Sequence, residues 1–395
     1  MINREKRKAL ISAEFKKRFN ASPQIWSRAP GRVDLMGSHT DYNMGYVMTM
    51  TIDRDTWIAA RPRSDRTVHL QSLNLDGKTE FLLDHIEFDT QNSWSNYVRG
   101  VAHVMENKGI HLCGFDGLIH STVPFGSGLS SSAALEMAAV SLFASISHVK
   151  LDPVNMAIIG QKAENEFVGV NTGILDQYSS AMGKANSTIL LDCRHLTSQT
   201  VPMSNQFSVV ICDTRAKRKL IGSEYDMRRQ QCEEAVRIFQ QVDPSVNALR
   251  DVSMDLFKEH ESLLPPIVAK RARFIIEESQ RVCDLASALP TGDRKALSHL
   301  FNQSFDGACN LFEIGAPAMH HMMHAMQQAP GFIAGRQAGG GFGGCMTALV
   351  EVGKENEFAA AVEQSYFEAS KTQPSVYPIV ATEGAGMVDH DDTAV

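Results

Sequence analysis

The sequence predicts an α+β protein of two domains, and two observations support this prediction. The chain has 395 residues, and about 150 residues per domain gives an expectation of two to three domains. Strand-like and loop-rich segments dominate the first half, whereas long amphipathic helical patterns dominate the second half. The change of character falls near residues 195–210, so we expect one domain at 1–202 and the other at 203–395.

The first domain is predicted to begin with a helix and to continue as strands and helices. Ile11, Phe15 and Phe19 recur every four residues, which is typical of an amphipathic helix. Segments rich in β-branched and aromatic residues then predict strands. The predicted strands are a segment that starts at 26 and runs into a loop ending at 43, then 46–53, 57–62, 69–73, 79–83, 117–122 and 187–192. The predicted helices are 96–107, 155–167 and 173–183, and another helix follows a Gly–Ser loop at 126–132.

The second domain is predicted to be rich in helices. A strand is expected at 207–213, and the region from 223 to about 311 is charged and helical in pattern. Its amphipathic stretches are 224–239, 269–289 and 294–311. A glycine-rich loop leading into a strand is predicted across 335–350, and a helix at 355–371.

Composition and charge exclude several classes of protein. Apolar residues make up 43% and charged residues 21% of the chain, and the mean hydropathy is −0.17, all of which is ordinary for a soluble globular protein. The formal net charge of −7 argues against nucleic acid as the main partner. The longest apolar run, at 133–149, is interrupted by Glu136 and followed by Lys150, so no membrane span is expected.

The cysteines and the first residues bear on the cellular location. The seven cysteines show no Cys-x-x-Cys spacing, which argues against a zinc ribbon or a thioredoxin motif. Their number is odd and low for this length, so we expect reduced thiols in the cytoplasm rather than a disulfide framework. Residues 1–19 are basic but carry Glu5 and Glu14 and lack an apolar core, so no secretory signal is expected.

Two glycine-rich segments are candidates for binding a nucleotide. The chain lacks the Gly-x-x-x-x-Gly-Lys-Ser/Thr pattern of a P-loop. Gly339, Gly341 and Gly344 satisfy Gly-x-Gly-x-x-Gly, but a predicted strand follows this loop instead of a helix, and a dinucleotide site is therefore rejected.

The second segment, loop 126–132, is more informative. Gly126 and Gly128 permit a close approach of the backbone to a ligand, and the serines at 130–132 stand where a helix begins. Free amide groups and the positive end of the helix dipole favour an anion at such a place. The alternative interpretation is a serine that only caps the helix.

Four separated segments are similar to the motifs of one kinase family. Arg28–Asn43 is similar to a signature near a sugar site, and Val123–Glu136 to a phosphate loop. Ala163–Tyr178 is similar to the region that carries a metal ligand and a catalytic aspartate, and Gly339–Cys345 to a third, C-terminal motif. On these segments the chain resembles the GHMP kinase superfamily and, within it, the galactokinases. Shorter matches at 222–225 and 383–387 extend the resemblance.

The resemblance implies a fold, a reaction and its cofactors. An N-terminal domain like ribosomal protein S5 is expected to pack against a C-terminal ferredoxin-like domain, with ATP and substrate meeting in the cleft between them. The implied reaction transfers the γ-phosphoryl group of ATP to the anomeric hydroxyl of a monosaccharide such as galactose, with Mg²⁺ as cofactor. The expected partners are the monosaccharide and ATP, and both a monomer and a homodimer are compatible with the sequence.

The resemblance also implies roles for particular residues. Asp176 matches the catalytic aspartate, which would accept the proton of the acceptor hydroxyl, and Arg32 matches the arginine beside it. Ser132 and Glu164 would supply the protein oxygens to Mg²⁺, and whether Ser131 or Ser132 binds the metal stays open. The residues implied to surround the ATP phosphates are Gly126, Ser127, Gly128, Leu129, Ser130, Ser131 and Ser132.

A sugar pocket is implied by a further set of matching positions. His39, Asp41, Gly173 and Tyr225 match residues that line the pocket in galactokinases, and Ser38 belongs to the same motif. A carboxylate such as Asp41 can accept hydrogen bonds from two neighbouring hydroxyl groups. Tyr225 is equally compatible with a core tyrosine whose hydroxyl is satisfied.

The chain departs from galactokinases at several of these positions. Ser38 stands where they usually have a glutamate that contacts the sugar near C6, and Asp34 where they usually have an asparagine. Arg215 and Arg218 replace an Asn-x-x-His pattern near the pocket tyrosine. Loss of one carboxylate and gain of two cations would make the site more tolerant of a negative group, so a uronic acid such as galacturonate is an alternative substrate. A pentose that lacks C6 is another.

Two further hypotheses belong to different classes. Some galactokinase-like proteins bind sugar and ATP without turnover and act as sensors, although the presence of Arg32, Glu164 and Asp176 favours the enzyme. His320, His321 and His324 have the spacing of one helix face and raise the hypothesis of a metal site. No Glu in a His-Glu-x-x-His pattern accompanies them, so the surface of a Met- and His-rich helix is the preferred interpretation.

Overall fold

The computed structural model describes residues 3–216 and 224–388, and it arranges them as two β-sheets with helices packed on and between them. The strands are β1 (Ile25–Met36), β2 (Tyr46–Pro62), β3 (Thr67–Ser72), β4 (Lys78–Leu82), β5 (Phe115–Ser121), β6 (Ser187–Asp192), β7 (Thr197–Pro202), β8 (Phe207–Asp213), β9 (Phe332–Gln337), β10 (Cys345–Glu351), β11 (Ser375–Ile379) and β12 (Gly386–Met387).

The helices of the first half are α1 (Arg4–Phe19), α2 (Asn96–Asn107), α3 (Ser131–Ile146), α4 (Pro153–Lys162) and α5 (Leu175–Met182). Those of the second half are α6 (Glu224–Val242), α7 (Met254–His260), α8 (Pro266–Ala288), α9 (Arg294–Asn310), α10 (Pro317–Gln328) and α11 (Glu355–Ser370). The predicted α+β class and the helix-rich second half are thereby confirmed.

The first sheet has eight strands in the order β12-β1-β2-β5-β3-β4, with β6 paired to the beginning of β2 and β7 paired to β6. The pairing of β3 with β5 is parallel, and the other pairs of this sheet are antiparallel. The second sheet is antiparallel, in the order β11-β8-β10-β9. The predicted division at 202/203 stays a prediction, because β12 returns to the first sheet from the end of the described chain.

Strand β2 corrects the prediction of two strands at 46–53 and 57–62, since a single strand spans both. Between them lies Asp55, which has the character of a loop residue in the sequence but is buried in the structure. Its carboxylate accepts hydrogen bonds from Arg7, from Arg28 Nε at 3.1 Å and from Trp57 Nε1 at 3.0 Å. A buried carboxylate with these partners is compatible with the middle of a strand.

Two further predicted elements differ in their bounds. The helix predicted at 155–167 ends as an α-helix at Lys162 and continues as a π-helical turn at Ala163–Val168. The glycine-rich loop predicted to begin at 335 begins after Gln337, because Gly335 already lies in β9. The sequence does not predict strands β7, β9, β11 and β12; β7 is mostly exposed and lacks the apolar alternation that marks a half-buried strand.

Two large hydrophobic cores support the strands and helices that carry the candidate site. One lies between the first sheet and helices α2 and α3. The other contains side chains of both sheets: Val33 and Met50 from the first sheet pack in one cluster with Ile211 and Leu349 from the second, together with Phe301 from α9. The two sheets therefore share a continuous apolar interior.

The remaining sequence predictions concern surfaces. On α10 the methionines Met319, Met322 and Met326 are buried, whereas the histidines at 320, 321 and 324 are exposed, so the preferred interpretation as a helix surface is confirmed. All seven cysteines lie in the described ranges and carry free thiols. Within the same ranges, no helix is long and apolar enough to cross a membrane.

Candidate active site

Strand β1 carries Arg32 into the centre of the site. The pairing of β1 with β2 shifts register between Pro30 and Arg32 and again before Met36, and such irregularities redirect side chains. Arg32 Nε donates to Asp176 Oδ1 at 2.8 Å, and Nη2 donates to the same oxygen. Nη1 donates to the carbonyl of Gly128 at 2.7 Å. The guanidinium therefore joins the predicted phosphate loop to the predicted catalytic aspartate.

Asp176 lies in the first turn of α5, and its second oxygen is also held. Ser130 Oγ donates to Asp176 Oδ2 at 2.5 Å. The side chain of Asp176 keeps about 25% of its surface exposed, whereas that of Arg32 keeps 7%. The carboxylate is thus fixed in orientation by two side chains and is still open to a substrate.

Three residues of the phosphate loop before α3 have a left-handed backbone conformation. Gly126 has φ 69° and Gly128 has φ 86°, values that glycine adopts without steric cost. Ser130 also has a positive φ, of 59°. Although Ser130 stands at the N-cap of α3, its hydroxyl bonds to Asp176 and no amide of the helix is capped by it. The interpretation of a simple helix-capping serine is therefore wrong for Ser130.

Close packing holds this loop against β1 and against the glycine-rich C-terminal motif. The amide of Arg32 donates to the carbonyl of Leu129 at 3.1 Å, and a Cβ added to Gly31 would lie 2.6 Å from that carbonyl oxygen. The amide of Cys345 donates to the carbonyl of Ser127 at 3.0 Å. The structure therefore brings the first, second and last motifs together at one place.

A buried acidic pocket lies beside the start of α3. Glu164, in the π-helical turn, accepts hydrogen bonds from Gln177 Nε2 at 2.7 Å and Thr172 Oγ1 at 3.0 Å, and the Ser132 hydroxyl also bonds to it. Burial and the nearby Asp176 raise the pKa of Glu164. Helical turns of this kind are frequent at functional sites because they displace a side chain from the regular helical positions.

Sequence reasoning missed a second carboxylate in this pocket. Glu136 is fully buried, and it accepts a hydrogen bond from the same Gln177 amide nitrogen at 2.8 Å. Burial and the nearby Glu164 raise the pKa of Glu136 well above its ordinary value. The spacing of four residues between Ser132 and Glu136 places both on one face of α3, and this signal could have found it.

The oxygens of this pocket suit a hard cation. The Ser132 hydroxyl and the Glu164 carboxylate bond to each other, and both are ligand types that Mg²⁺ accepts. No group of three or more His, Cys, Asp or Glu side chains in the described ranges could hold a metal ion by itself. The donor set therefore fits Mg²⁺ bound partly by the protein and partly by phosphate oxygens, which is the usual arrangement for this ion.

Asp41 and Gly173 form one wall of the predicted sugar pocket. A Cβ added to Gly173 would lie 1.7 Å from Asp41 Oδ2, so only glycine leaves room for that carboxylate. Burial, with Asp176 and Asp34 nearby, raises the pKa of Asp41 to about 6. The structure therefore brings Asp41 and Gly173 together as predicted and places them near Asp176.

His39 and Tyr225, both predicted to line the sugar pocket, lie together in an aromatic cluster. Their rings lie 5.2 Å apart, and Tyr42 lies 5.8 Å from each of them. His39 Nε2 donates to the carbonyl of Gly340 at 3.0 Å, and Nδ1 accepts from the Tyr42 hydroxyl at 2.9 Å. Burial, with Arg228 and Arg336 nearby, lowers the pKa of His39 to about 4, so the ring is neutral at pH 7.

The positions that depart from galactokinases have different surroundings. Asp34 is buried beside the candidate catalytic pair, with its Oδ1 3.2 Å from Arg32 Nε. Ser38 is 2% exposed, and its hydroxyl donates to the carbonyl of Gly339 at 3.0 Å, so its predicted contact with substrate stays a prediction. Arg215 is exposed and pairs with Asp213 at 3.4 Å. Arg218 lies outside the described residues, as do positions 222 and 223 of the match at 222–225.

Two family models match the chain. The galactokinase galactose-binding signature matches residues 13–62, and the GHMP kinases N terminal domain matches residues 96–184. These ranges contain Arg32, Ser38, His39 and Asp41 in the first case, and the phosphate loop, Glu164 and Asp176 in the second.

Curated relatives match almost the whole chain. A galactokinase from Chloroflexus aggregans is 41% identical over 377 residues, which cover 95% of this chain and 96% of that protein. A galactokinase from Roseiflexus sp. is 39% identical over 378 residues, which cover 96% of each. The crystal structure of Lactococcus lactis galactokinase complexed with galactose superposes with a TM-score of 0.92 at 31% identity, covering 96% of this chain and 99% of that one.

Proposed function

The chain belongs to the galactokinase family of the GHMP kinases, and on that premise we propose that it transfers the γ-phosphoryl group of ATP to the anomeric hydroxyl of galactose. The observation that carries this proposal is the placement of Asp176. Its carboxylate is held by Arg32 and by Ser130 of the phosphate loop, and it lies near enough to Asp41 to raise the pKa of that carboxyl group. A base at this position serves a transfer from a nucleotide to a sugar.

Asp176 would accept the proton of the anomeric hydroxyl as that oxygen attacks the γ-phosphorus. The bond to the β–γ bridging oxygen breaks as the new oxygen–phosphorus bond forms, and ADP leaves. Arg32 holds the carboxylate through Oδ1, so a charged donor fixes its orientation and lies close to where the negative charge of the transferring group develops. Ser130 holds Oδ2 and fixes the direction of the accepting lone pair.

The phosphate loop and the acidic pocket would bind the nucleotide. Backbone amides of loop 126–132 and the N-terminus of α3 provide donors and a positive field for the phosphate groups. Ser132 and Glu164 would hold Mg²⁺, which when bound neutralises charge on the ATP phosphates. Ser132 is preferred over Ser131 because its hydroxyl bonds to Glu164.

The charge of the sugar pocket favours a neutral sugar over a uronic acid. Asp41, with a pKa of about 6, contributes negative charge at pH 7, and the buried His39 ring, with a pKa of about 4, contributes no positive charge. Arg215 was expected to add a cation, but it is exposed and paired with Asp213. The carboxylate of a uronic acid would therefore be repelled by the carboxylate of Asp41.

A panel of free sugars tests the proposed function. Galactose, galacturonate, arabinose and glucose are each supplied with Mg-ATP, and both ADP and the sugar phosphate are measured. We expect galactose to give the highest kcat/KM and the product to carry phosphate at C1. Faster turnover of galacturonate would instead support the uronic acid alternative. Binding of galactose without any ADP release would identify a sensor.

A further inference from the structure

A buried cluster of charged side chains lies beneath the loop that carries the sugar-binding residues, 37–43. At its centre is Glu278 of α8, which has no exposed surface. Its Oε1 accepts hydrogen bonds from the Gly37 amide at 3.0 Å, from Ser304 Oγ at 2.8 Å and from Arg336 Nη2 at 3.1 Å. Its Oε2 accepts from Arg281 Nε at 2.8 Å.

Arg336 of β9 is equally buried and connects this cluster to Ser38. Its Nη2 donates to Ser38 Oγ at 3.0 Å as well as to Glu278. Ser38 extends the connection, because its own hydroxyl donates to Gly339 of the glycine-rich motif. The nitrogens Nε and Nη1 of Arg336 have no hydrogen-bond partner among the described residues, so its bonds are made through Nη2 alone.

Two carboxylates act on Arg336, and Glu278, which is hydrogen-bonded to it, acts more strongly than Asp34. Burial alone would raise the pKa of Glu278, but Arg281, Arg336 and the Gly37 amide outweigh burial and lower it, so the carboxylate is ionised. A buried guanidinium that loses its carboxylate partner is strongly unfavourable, because no water replaces the lost interaction. Serine at position 38 is small and neutral, and therefore adds no second carboxylate to the space that Glu278 fills.

We propose that Glu278 is a positioning residue for the sugar site, and that Glu278 and Ser38 form a matched pair which holds loop 37–43 against β9. Glu278 does not reach the substrate, because its whole side chain is buried. It acts through Gly37 and Arg336, and the same loop carries His39 and Asp41. This inference rests on the proposed function, since galactose affinity is the property that the loop would control.

The first test removes the charge of Glu278 and keeps its shape. In E278Q, we expect KM for galactose to rise about tenfold or more, since a hydrogen bond to a buried charged group is lost, while KM for ATP changes less than twofold. The control is E277Q on the same helix, because Glu277 pairs with Arg273 and Arg281 but contacts neither Gly37 nor Arg336. Equal galactose KM values for E278Q, E277Q and the parent would overturn the proposal.

The second test moves the carboxylate from position 278 to position 38. E278A removes the group, and S38E/E278A supplies a new one from position 38, where galactokinases usually carry glutamate. We expect E278A to lose galactose affinity and thermal stability, and the double variant to recover a galactose KM within about threefold of the parent. S38E alone should be impaired, because it places a second buried carboxylate beside Glu278 and the two like charges repel each other.

These measurements distinguish a failure of the matched pair from a failure of the proposed function. A double variant no better than E278A, in either galactose KM or thermal midpoint, contradicts the matched pair. If E278A does not fold, a folded and active S38E/E278A supports the pair. If neither variant folds, the galactose KM of E278Q, which preserves the side-chain volume, is the test: a raised KM supports the proposal and an unchanged KM contradicts it. A parent protein without galactose-dependent ADP release contradicts the proposed function, and the thermal midpoints of the same variants then still test the structural pair.

Discussion

Asp176 has an unusual combination of constraint and access. Both carboxylate oxygens are bonded, one to Arg32 and the other to Ser130, yet a quarter of the side chain is exposed. A carboxylate fixed in this way loses little freedom when a sugar hydroxyl approaches it, and such preorganisation lowers the free energy of activation.

Gly173→Ala is predicted to displace Asp41. The new Cβ would lie 1.7 Å from Asp41 Oδ2, so the carboxylate must move out of the pocket. We expect KM for galactose to rise at least about tenfold, because hydrogen bonds between the sugar and a charged group are lost. Steady-state kinetics check this, with Gly386→Ala as the control, since a Cβ there meets no atom within 4 Å. Similar galactose KM values for the two variants would contradict the assignment of this wall.

Galactose binding is predicted to weaken in acid. Burial raises the pKa of Asp41 to about 6, and protonation removes the negative charge and turns one of the two accepting oxygens into a donor. As the pH falls through about 6, Asp41 becomes protonated, and kcat/KM for galactose should fall with it. The profile is measured from about pH 5 to about pH 8 at saturating Mg-ATP, a range that brackets this titration. Asp41→Asn should have a low kcat/KM for galactose at every pH, without this decrease in acid. If the variant shows the same decrease as the parent, another group is responsible for it.

At the scale of elements, the packing of β1 against the phosphate loop sets the nucleotide site. Gly31→Ala places a Cβ 2.6 Å from the Leu129 carbonyl, so β1 and the loop must separate. We expect a higher KM for ATP and a lower kcat, since Arg32 lies on the same strand. The matched control is Gly109→Ala, which strains a left-handed residue outside the phosphate loop but whose Cβ meets no atom within 4 Å. If the control raises KM for ATP as much as Gly31→Ala does, close packing is not the cause.

Some elements of the fold can be predicted from the local sequence, and others cannot. The phosphate loop and α3 are predictable because glycines, serines and helix formers follow one another within a few residues. Strand β2 is predicted in two parts because Asp55 looks like a loop residue until Arg7 and Arg28 are seen beside it. Strand β12 is two residues long and exists only through pairing with β1, so local pattern carries no signal for it.

The site shows the same division between local and long-range information. Motifs identify Asp176, Arg32, Asp41 and Gly173, and the structure brings them together. Sequence reasoning misses Glu278 because a glutamate in an amphipathic helix is usually a surface residue. Its burial depends on partners from distant segments, Gly37 and Arg336, which helical periodicity does not reveal.

At the scale of the whole molecule, the two sheets are predicted to unfold together. One apolar cluster contains Val33 and Met50 of the first sheet with Ile211 and Leu349 of the second. Phe301→Ala removes a fully buried ring from this cluster and should cost about 3–5 kcal/mol of unfolding free energy. Scanning calorimetry should show one transition for the parent and one transition at lower temperature for the variant. Two separate transitions, with only one of them shifted, would show that the sheets have independent cores.

The proposed transfer of the sugar hydroxyl proton to Asp176 is tested most directly by single-turnover kinetics of Asp176→Asn. The control is Asp152→Asn, which changes a carboxylate at the N-cap of α4 for an equally good cap. Galactose binding by calorimetry shows whether the Asp176→Asn pocket is intact. We predict that Asp176→Asn transfers phosphate about 100- to 10,000-fold more slowly than the parent, while Asp152→Asn matches the parent. Transfer by Asp176→Asn within about threefold of the parent rate would contradict the claim, since a general base contributes far more than that.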